Sequence, residues 1–320
     1  MFDFVGVLVL TALAALFGFL VTRAWGAKNA VLKWGGVTVT GLLTLILIAL
    51  LVFSLIGFYK LNAQHDNPVS EVKVAGTPEQ IARGEKLVKI CLGCHSPNGQ
   101  LPLTGQNFFA EGGPPIGILY APNLTPTHLK DWSDGEIIRA IREGVHKNGR
   151  ALIIMPAEVF RHLSSEDVQS LVAFLRAQPA VEPDTSPTQF NTLGALFTNL
   201  GPFQTRQEPV GNVTAPPEGP TADYGAYLVS VIGCTSCHGA NLEGIDPSQT
   251  NGPPPGPNLT RVIPNWTEEE FMTFFRTGQL PSGSTIGELM PWKDINDFAT
   301  DDDLKAMYAY LHSLPPVEGP

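Results

Sequence analysis

Two uncharged apolar stretches open the chain, Phe4 to Thr22 and Gly35 to Tyr59. Each reaches the roughly 20 residues that a helix needs to cross a bilayer. Arg23, Lys28 and Lys33 lie between them without an acid. A short basic loop is retained in the cytoplasm, so both chain ends are expected on the opposite side. The competing reading of the first stretch, a cleaved signal peptide, lacks a basic n-region (Asp3 stands there) and a small-residue cleavage site before Arg23. Residues 1–62 therefore read as a membrane anchor of two transmembrane helices in the lipid bilayer.

Gln64 to Thr77 is polar, carries no apolar period and reads as a linker. Beyond it the pattern turns amphipathic. Ile137-Ile138…Ile141, Val168…Leu171-Val172…Leu175, Phe271…Phe274-Phe275 and Leu304…Met307-Tyr308…Leu311 all follow a helical period. Each run follows a residue pair at N-cap and N3 spacing: Ser133 with Glu136, Ser164 with Asp167, Thr267 with Glu270, Thr300 with Asp303. With Gly 32 and Pro 28 among 320 residues, the pattern predicts helices set among long ordered loops.

The amphipathic part is written twice. Arg83-Gly84-Glu85-Lys86-Leu87-Val88 answers Tyr224-Gly225-Ala226-Tyr227-Leu228-Val229, and Gly112-Gly113-Pro114-Pro115 answers Asn251-Gly252-Pro253-Pro254. Asn123-Leu124-Thr125 answers Asn258-Leu259-Thr260, Trp132 answers Trp266, and Met155-Pro156 answers Met290-Pro291. The repeats set domains at 77–180 and 221–316, joined by a Pro-rich linker over 181–220. Gly84 and Gly225 interrupt the first helix of each domain at a cost near 1 kcal/mol relative to Ala. A close crossing beneath the final helix would justify that loss.

Charge separates the two halves. Residues 76–180 carry ten basic and ten acidic side chains, whereas 221–320 carry four and thirteen. The runs Glu268–Glu270 and Asp301–Asp303 suit the first turns of helices. The shortage of bases beside them points instead to a partner, such as a soluble cytochrome or copper protein with a basic face. A net charge of −10 and a charged fraction of 16% exclude a nucleic-acid-coating or disordered chain.

All four cysteines fall in Cys91-Leu92-Gly93-Cys94-His95 and Cys234-Thr235-Ser236-Cys237-His238, two copies of the C-x-x-C-H signal for c-type haem. Two thiols one helical turn apart can add to the two vinyl groups of one porphyrin, and the His that follows can ligate its iron. A zinc site would leave both histidines as coincidence, and redox dithiols would need a βαβ pattern that the chain lacks. Structural disulfides would likewise ignore the histidines. Two covalently bound haem c groups are the expected cofactors.

The second axial ligand decides what such an iron does. Met1 lies at the chain start, and Met272 and Met307 sit in helical runs as core filler. Met155 and Met290 each precede a Pro in a loop, 60 residues after His95 and 52 after His238. The expected metal ligands are therefore His95, Met155, His238 and Met290. His128 and His146 are alternates in the first domain, without counterparts in the second. His65, His162 and His312 are given no role. Trp132, Trp266, Phe108, Phe109 and Trp292 are candidate crevice walls or ordinary core aromatics. Asn123 and Asn258 are read as loop-fixing residues near the haem in preference to glycosylation sites.

On these residues the sequence resembles class I cytochromes c over about 77–180 and 221–316. The order Asn-Leu-Thr, Trp, helix, Met-Pro is similar to the cytochrome c subunits of membrane-bound alcohol and gluconate dehydrogenases. Those subunits have three haem domains where this chain has two. Two helices before two haem domains also resemble, in layout only, the di-haem subunit of cbb-type haem–copper oxidases. The resemblance implies an all-α fold per domain and one-electron transfer. It also implies a bacterium, so that the side expected from the basic loop for the N-terminus and haem domains is the periplasmic side of the cytoplasmic membrane.

The expected function is a membrane-tethered electron relay in a respiratory or photosynthetic chain. It would run between a membrane oxidoreductase complex (quinol- or substrate-oxidising, or a haem–copper oxidase) and an extracytoplasmic acceptor. The chain is expected not to be an enzyme itself. A di-haem peroxidase would need a displaceable ligand on one iron, against which both Met candidates speak. A thiosulfate-oxidising di-haem enzyme would need a spare Cys.

Overall fold

The computed structural model describes residues 4–108, 115–182, 185, 187–199, 206–249, 255–287 and 289–319. Helices α1 (Phe4–Trp25) and α2 (Ala30–Asn62) pack along each other. Asn29 caps the second by accepting from the Val31 and Leu32 amides. Both are long and apolar enough to cross a membrane. Their large side chains face outward, with Leu8 65% and Leu45 66% exposed, a surface suited to lipid.

Among the described residues each repeat builds six helices in the same order. In the first they are α3 (Pro78–Leu87), α4 (Leu92–His95), α5 (Pro126–Leu129), α6 (Asp134–Glu143), α7 (Ala157–Phe160) and α8 (Ser165–Ala177). A connector helix, α9 (Thr192–Phe197), follows. In the second they are α10 (Ala222–Ile232), α11 (Thr235–His238), α12 (Leu259–Val262), α13 (Glu268–Thr277), α14 (Trp292–Phe298) and α15 (Asp301–Ser313). Among the described residues four short strands form two antiparallel pairs. Strand β1 (Gln106–Asn107) pairs with β3 (Tyr120–Ala121), and β2 (Gly117–Ile118) pairs with β4 (Gln189–Phe190).

The helix starts are capped by the residues whose spacing predicts it. Ser133, Thr267 and Thr300 close full capping boxes, and Ser164 accepts from the Asp167 amide. Thr77 with Gln80 makes a further box at the start of α3. Helix α3 crosses α8 and α10 crosses α15 so closely that a Cβ on Gly84 would lie 2.0 Å from the Ser170 carbonyl oxygen. On Gly225 it would lie 1.9 Å from that of Ala306.

The two repeats share one hydrophobic core, reaching from Leu87 and Phe174 to Tyr224 and Leu311. Their seam is reciprocal. Helix α14 packs on the turn Val88–Cys91, and α7 packs on α10, with Val159 against Gly233. Lys86 Nζ lies 2.8 Å from Asp303 Oδ2. The hydroxyl of Tyr227 donates to Asp167 and accepts from the Ser164 amide at 3.0 Å.

Gln64 to Thr77, expected as a linker, is instead built into the first repeat. Gln64 bridges to Arg150, and the His65 amide donates to the Gly149 carbonyl at 2.9 Å. Asn67 Nδ2 donates to Glu143 Oε2 at 2.6 Å, and Arg139 Nη1 donates to the Asn67 carbonyl at 3.0 Å. The segment has no apolar period because its task is to satisfy buried charged groups of α6, which backbone carbonyls do as well as side chains.

Candidate haem sites

Helix α3 runs through the turn Val88–Cys91 into α4, which leaves Cys91 half-buried, Cys94 exposed and His95 7% exposed. In the second repeat Gly233, at φ 83°, ends α10 and turns the chain into Cys234, with Cys237 exposed and His238 6% exposed. Different turns thus deliver the same arrangement of two thiols and one buried imidazole.

The imidazoles are oriented alike. His95 Nδ1 lies 2.8 Å from the Pro122 carbonyl oxygen, and His238 Nδ1 lies 2.8 Å from that of Pro257. A carbonyl only accepts, so Nδ1 carries the proton and Nε2 keeps a lone pair for a metal. Burial pushes His95 down to about 4 and lowers His238 as well, so both rings stay neutral. Burial also pushes the Cys91 and Cys234 thiols up to about 12.

The carbonyls are themselves fixed. Asn123 Oδ1 accepts from the Thr125 amide at 2.8 Å and hydroxyl at 2.7 Å, while its Nδ2 donates to the Val181 carbonyl at 2.9 Å. Asn258 repeats the pattern, accepting from the Thr260 hydroxyl at 2.7 Å and donating to Val317 at 2.9 Å. Both asparagines tie the loop beneath the imidazole to the segment after the last helix. Asn123 is wholly buried, which rules it out as a glycan acceptor.

A cleft adjoins the first motif, and its lining includes Cys91, Cys94, His95 and Met155. Such a cleft, mostly apolar and meeting two thiols, one imidazole and one thioether, fits a haem. In the second repeat a Cβ on Gly256 would lie 2.4 Å from the His238 ring, so only Gly leaves the ring its place. Met155 and Met290 are both partly buried against the core, and the Pro after each takes φ −78°. The amides of Ala157 and Trp292 donate back to the Met155 and Met290 carbonyls, each at 2.8 Å.

Trp132, Phe108 and His128 line the first cleft. Phe109 lies outside the described residues, as do Gly112, Gly113, Pro114 and Asn251 to Pro254. Trp266 packs against Phe274 at 5.4 Å between ring centroids, and His146 packs against Trp132 at 4.7 Å while bonding Asn148. Sequence reasoning missed Phe58, Leu61 and Asn62, from the end of α2, and Thr188 and Phe190, from the connector, which also line the cleft. No local period marks them, because their role depends on contacts distant in sequence.

A family model described as Cytochrome c matches residues 81–179 and 222–315. The chain is 28% identical over 264 residues to the "Alcohol dehydrogenase (quinone), cytochrome c subunit" of Gluconacetobacter polyoxogenes, covering 71% of this chain and 54% of that one. It is 26% identical to the "Fructose dehydrogenase cytochrome subunit" of Gluconobacter japonicus, covering 78% and 55%. It is 27% identical to the "Gluconate 2-dehydrogenase cytochrome c subunit" of Pantoea cypripedii, covering 73% and 59%. The chain thus spans little more than half the length of these relatives. Both matched segments contain a C-x-x-C-H whose imidazole is held by a Pro carbonyl, and the chain belongs to the cytochrome c family, whose haem c is covalently bound.

Proposed function

We propose that this chain is a membrane-tethered di-haem cytochrome c that relays single electrons and turns over no substrate of its own. The observation that carries the reading is the duplicated His Nδ1–Pro carbonyl bond, made at 2.8 Å in both repeats, each with its own Met-Pro turn. The proposed domains are 77–180 and 221–316, with 1–62 as the anchor and 181–220 between the two domains.

Cys91 and Cys94 would hold one haem and Cys234 and Cys237 the other, and His95, Met155, His238 and Met290 would bind the irons. When bound, each haem supplies a one-electron couple. The chain's own part is to keep each imidazole neutral and oriented, to present a thioether from a Pro-stiffened loop, and to keep water from the buried ring face. Thirteen acids against four bases in residues 221–320 favour the oxidised state there, so the second site is given the lower potential.

The partner is proposed to be a membrane oxidoreductase, as in the dehydrogenases whose cytochrome subunits the chain resembles. A soluble cytochrome or copper protein with a basic face would dock on the acidic half. Both haem domains are placed on the periplasmic side of a bacterial cytoplasmic membrane.

The test is haem stoichiometry together with a potentiometric titration of the full chain in mild detergent. Two haems per chain and two one-electron steps are expected. One haem per chain, or a step abolished by exogenous peroxide turnover, would overturn the relay. A native-gel band far above the monomer mass identifies a fixed complex.

A further inference from the structure

The second membrane helix does more than hold the chain at a surface. Its 33 residues extend about 50 Å at 1.5 Å per residue, well over the roughly 30 Å of a hydrocarbon core. Its last turn reaches the first cleft, where Phe58, Leu61 and Asn62 share the lining with Cys91, His95 and Met155. Phe58 is 2% exposed. Leu61 packs with Ile153 onto the small cluster of Ile116, Leu119 and Phe190.

That placement is fixed from three sides. A Cβ on Gly57 would lie 1.8 Å from the Ala195 carbonyl oxygen, so α9 crosses α2 at backbone contact. Asn199 Nδ2 donates to the Phe53 carbonyl at 2.7 Å. Immediately after α2, His65 and Asn67 are tied to Gly149, Arg139 and Glu143. A flexible tether would need none of these bonds.

We infer that the end of α2 is a wall of the first haem crevice, that Phe58 is its positioning residue, and that this haem is the membrane-side end of the relay. The inference rests on the di-haem reading above. An apolar wall excludes water and disfavours the oxidised, more highly charged site, which raises its potential. The acidic second half is then the end that faces soluble partners.

The test uses the full chain in detergent. Phe58→Ala should lower one of the two potentials by about tenfold in the one-electron equilibrium constant, about 59 mV, and leave the other in place. Phe58→Leu should restore most of it, and Leu61→Gln, at a partly buried position, should move the same step if Phe58→Ala does not fold. A nitroxide on Asn62→Cys identifies the haem concerned. Its relaxation enhancement by the oxidised iron should vanish at the step that the wall variants move. Equal shifts of both steps, no shift, or a label that responds to the other step would overturn the inference. A preparation with one haem or none would instead refute the di-haem reading, so the two failures are told apart by the haem count.

Discussion

Lys86 and Tyr227 hold the same position in the two repeats, and each crosses the seam to the carboxylate at N3 of the other repeat's last helix. Lys86 pairs with Asp303 at 2.8 Å, and Tyr227 donates to Asp167. Burial, with Asp167 beside it, pushes the Tyr227 hydroxyl up, so it remains a donor. A cation and a phenol perform the same task because both can donate to an acid at the start of a helix.

Acid should loosen this seam. Burial alone would raise Asp303, but Lys86 and the Thr300 hydroxyl and amide outweigh it and hold the carboxyl below its ordinary value. A depressed folded-state value means that the stabilisation is complete above the unfolded value of about 3.9 and is lost as pH falls through the folded one. The thermal unfolding temperature should therefore fall below about pH 4. Lys86→Met should flatten that limb, and an unchanged acid slope in the variant would refute the role given to the pair. Asp303→Asn at neutral pH should cost about 2 kcal/mol.

Gly84→Ala and Gly225→Ala should destabilise the protein, although Ala is the better helix former. The propensity gain is about 1 kcal/mol. The added Cβ would lie 2.0 Å and 1.9 Å from carbonyl oxygens, so the crossing helices must separate. Overpacking of this kind costs about 1–3 kcal/mol, and denaturant midpoints should fall in both variants. A rise in either midpoint would show that the crossing yields freely.

Asn123→Ala removes three hydrogen bonds at a wholly buried position. The expected loss is about 2 kcal/mol. Because Pro122 directly precedes it, the His95 tautomer should also be less firmly held. The optical spectrum of the first site should broaden while that of the second does not.

Met155→His should keep six-coordinate iron and lower one potential by more than the about 59 mV that marks a tenfold change. Met290→His should lower the other. If either variant leaves both potentials in place, the thioether assignment fails at that repeat.

Electron exchange with a small basic cytochrome should slow as ionic strength rises from about 10 mM to 150 mM, where the screening length shrinks from about 30 Å to 8 Å. A salt-independent rate would separate the acidic surface from partner docking.

The features legible in the sequence obey rules that act within a few residues. The capping boxes at Ser133, Thr267 and Thr300, the paired glycines and the two C-x-x-C-H motifs each carry their meaning in a short window. The box at Thr77 and Gln80 obeys the same rule and was readable in principle. The clamp around Asn67 and the wall at Phe58 were not. They depend on pairs such as Arg139 with Asn67 and Asn199 with Phe53, separated by 72 and 146 residues, and no periodicity records such a pairing.

The reciprocal seam also constrains how the duplicated halves can change. Helix α7 packs on the helix that leads into Cys234, and α14 packs on the turn that leads into Cys91. Each copy therefore inherits part of its immediate environment from the other. A substitution in one Met–Pro loop is answerable to the opposite half, and the two halves must drift as a matched pair.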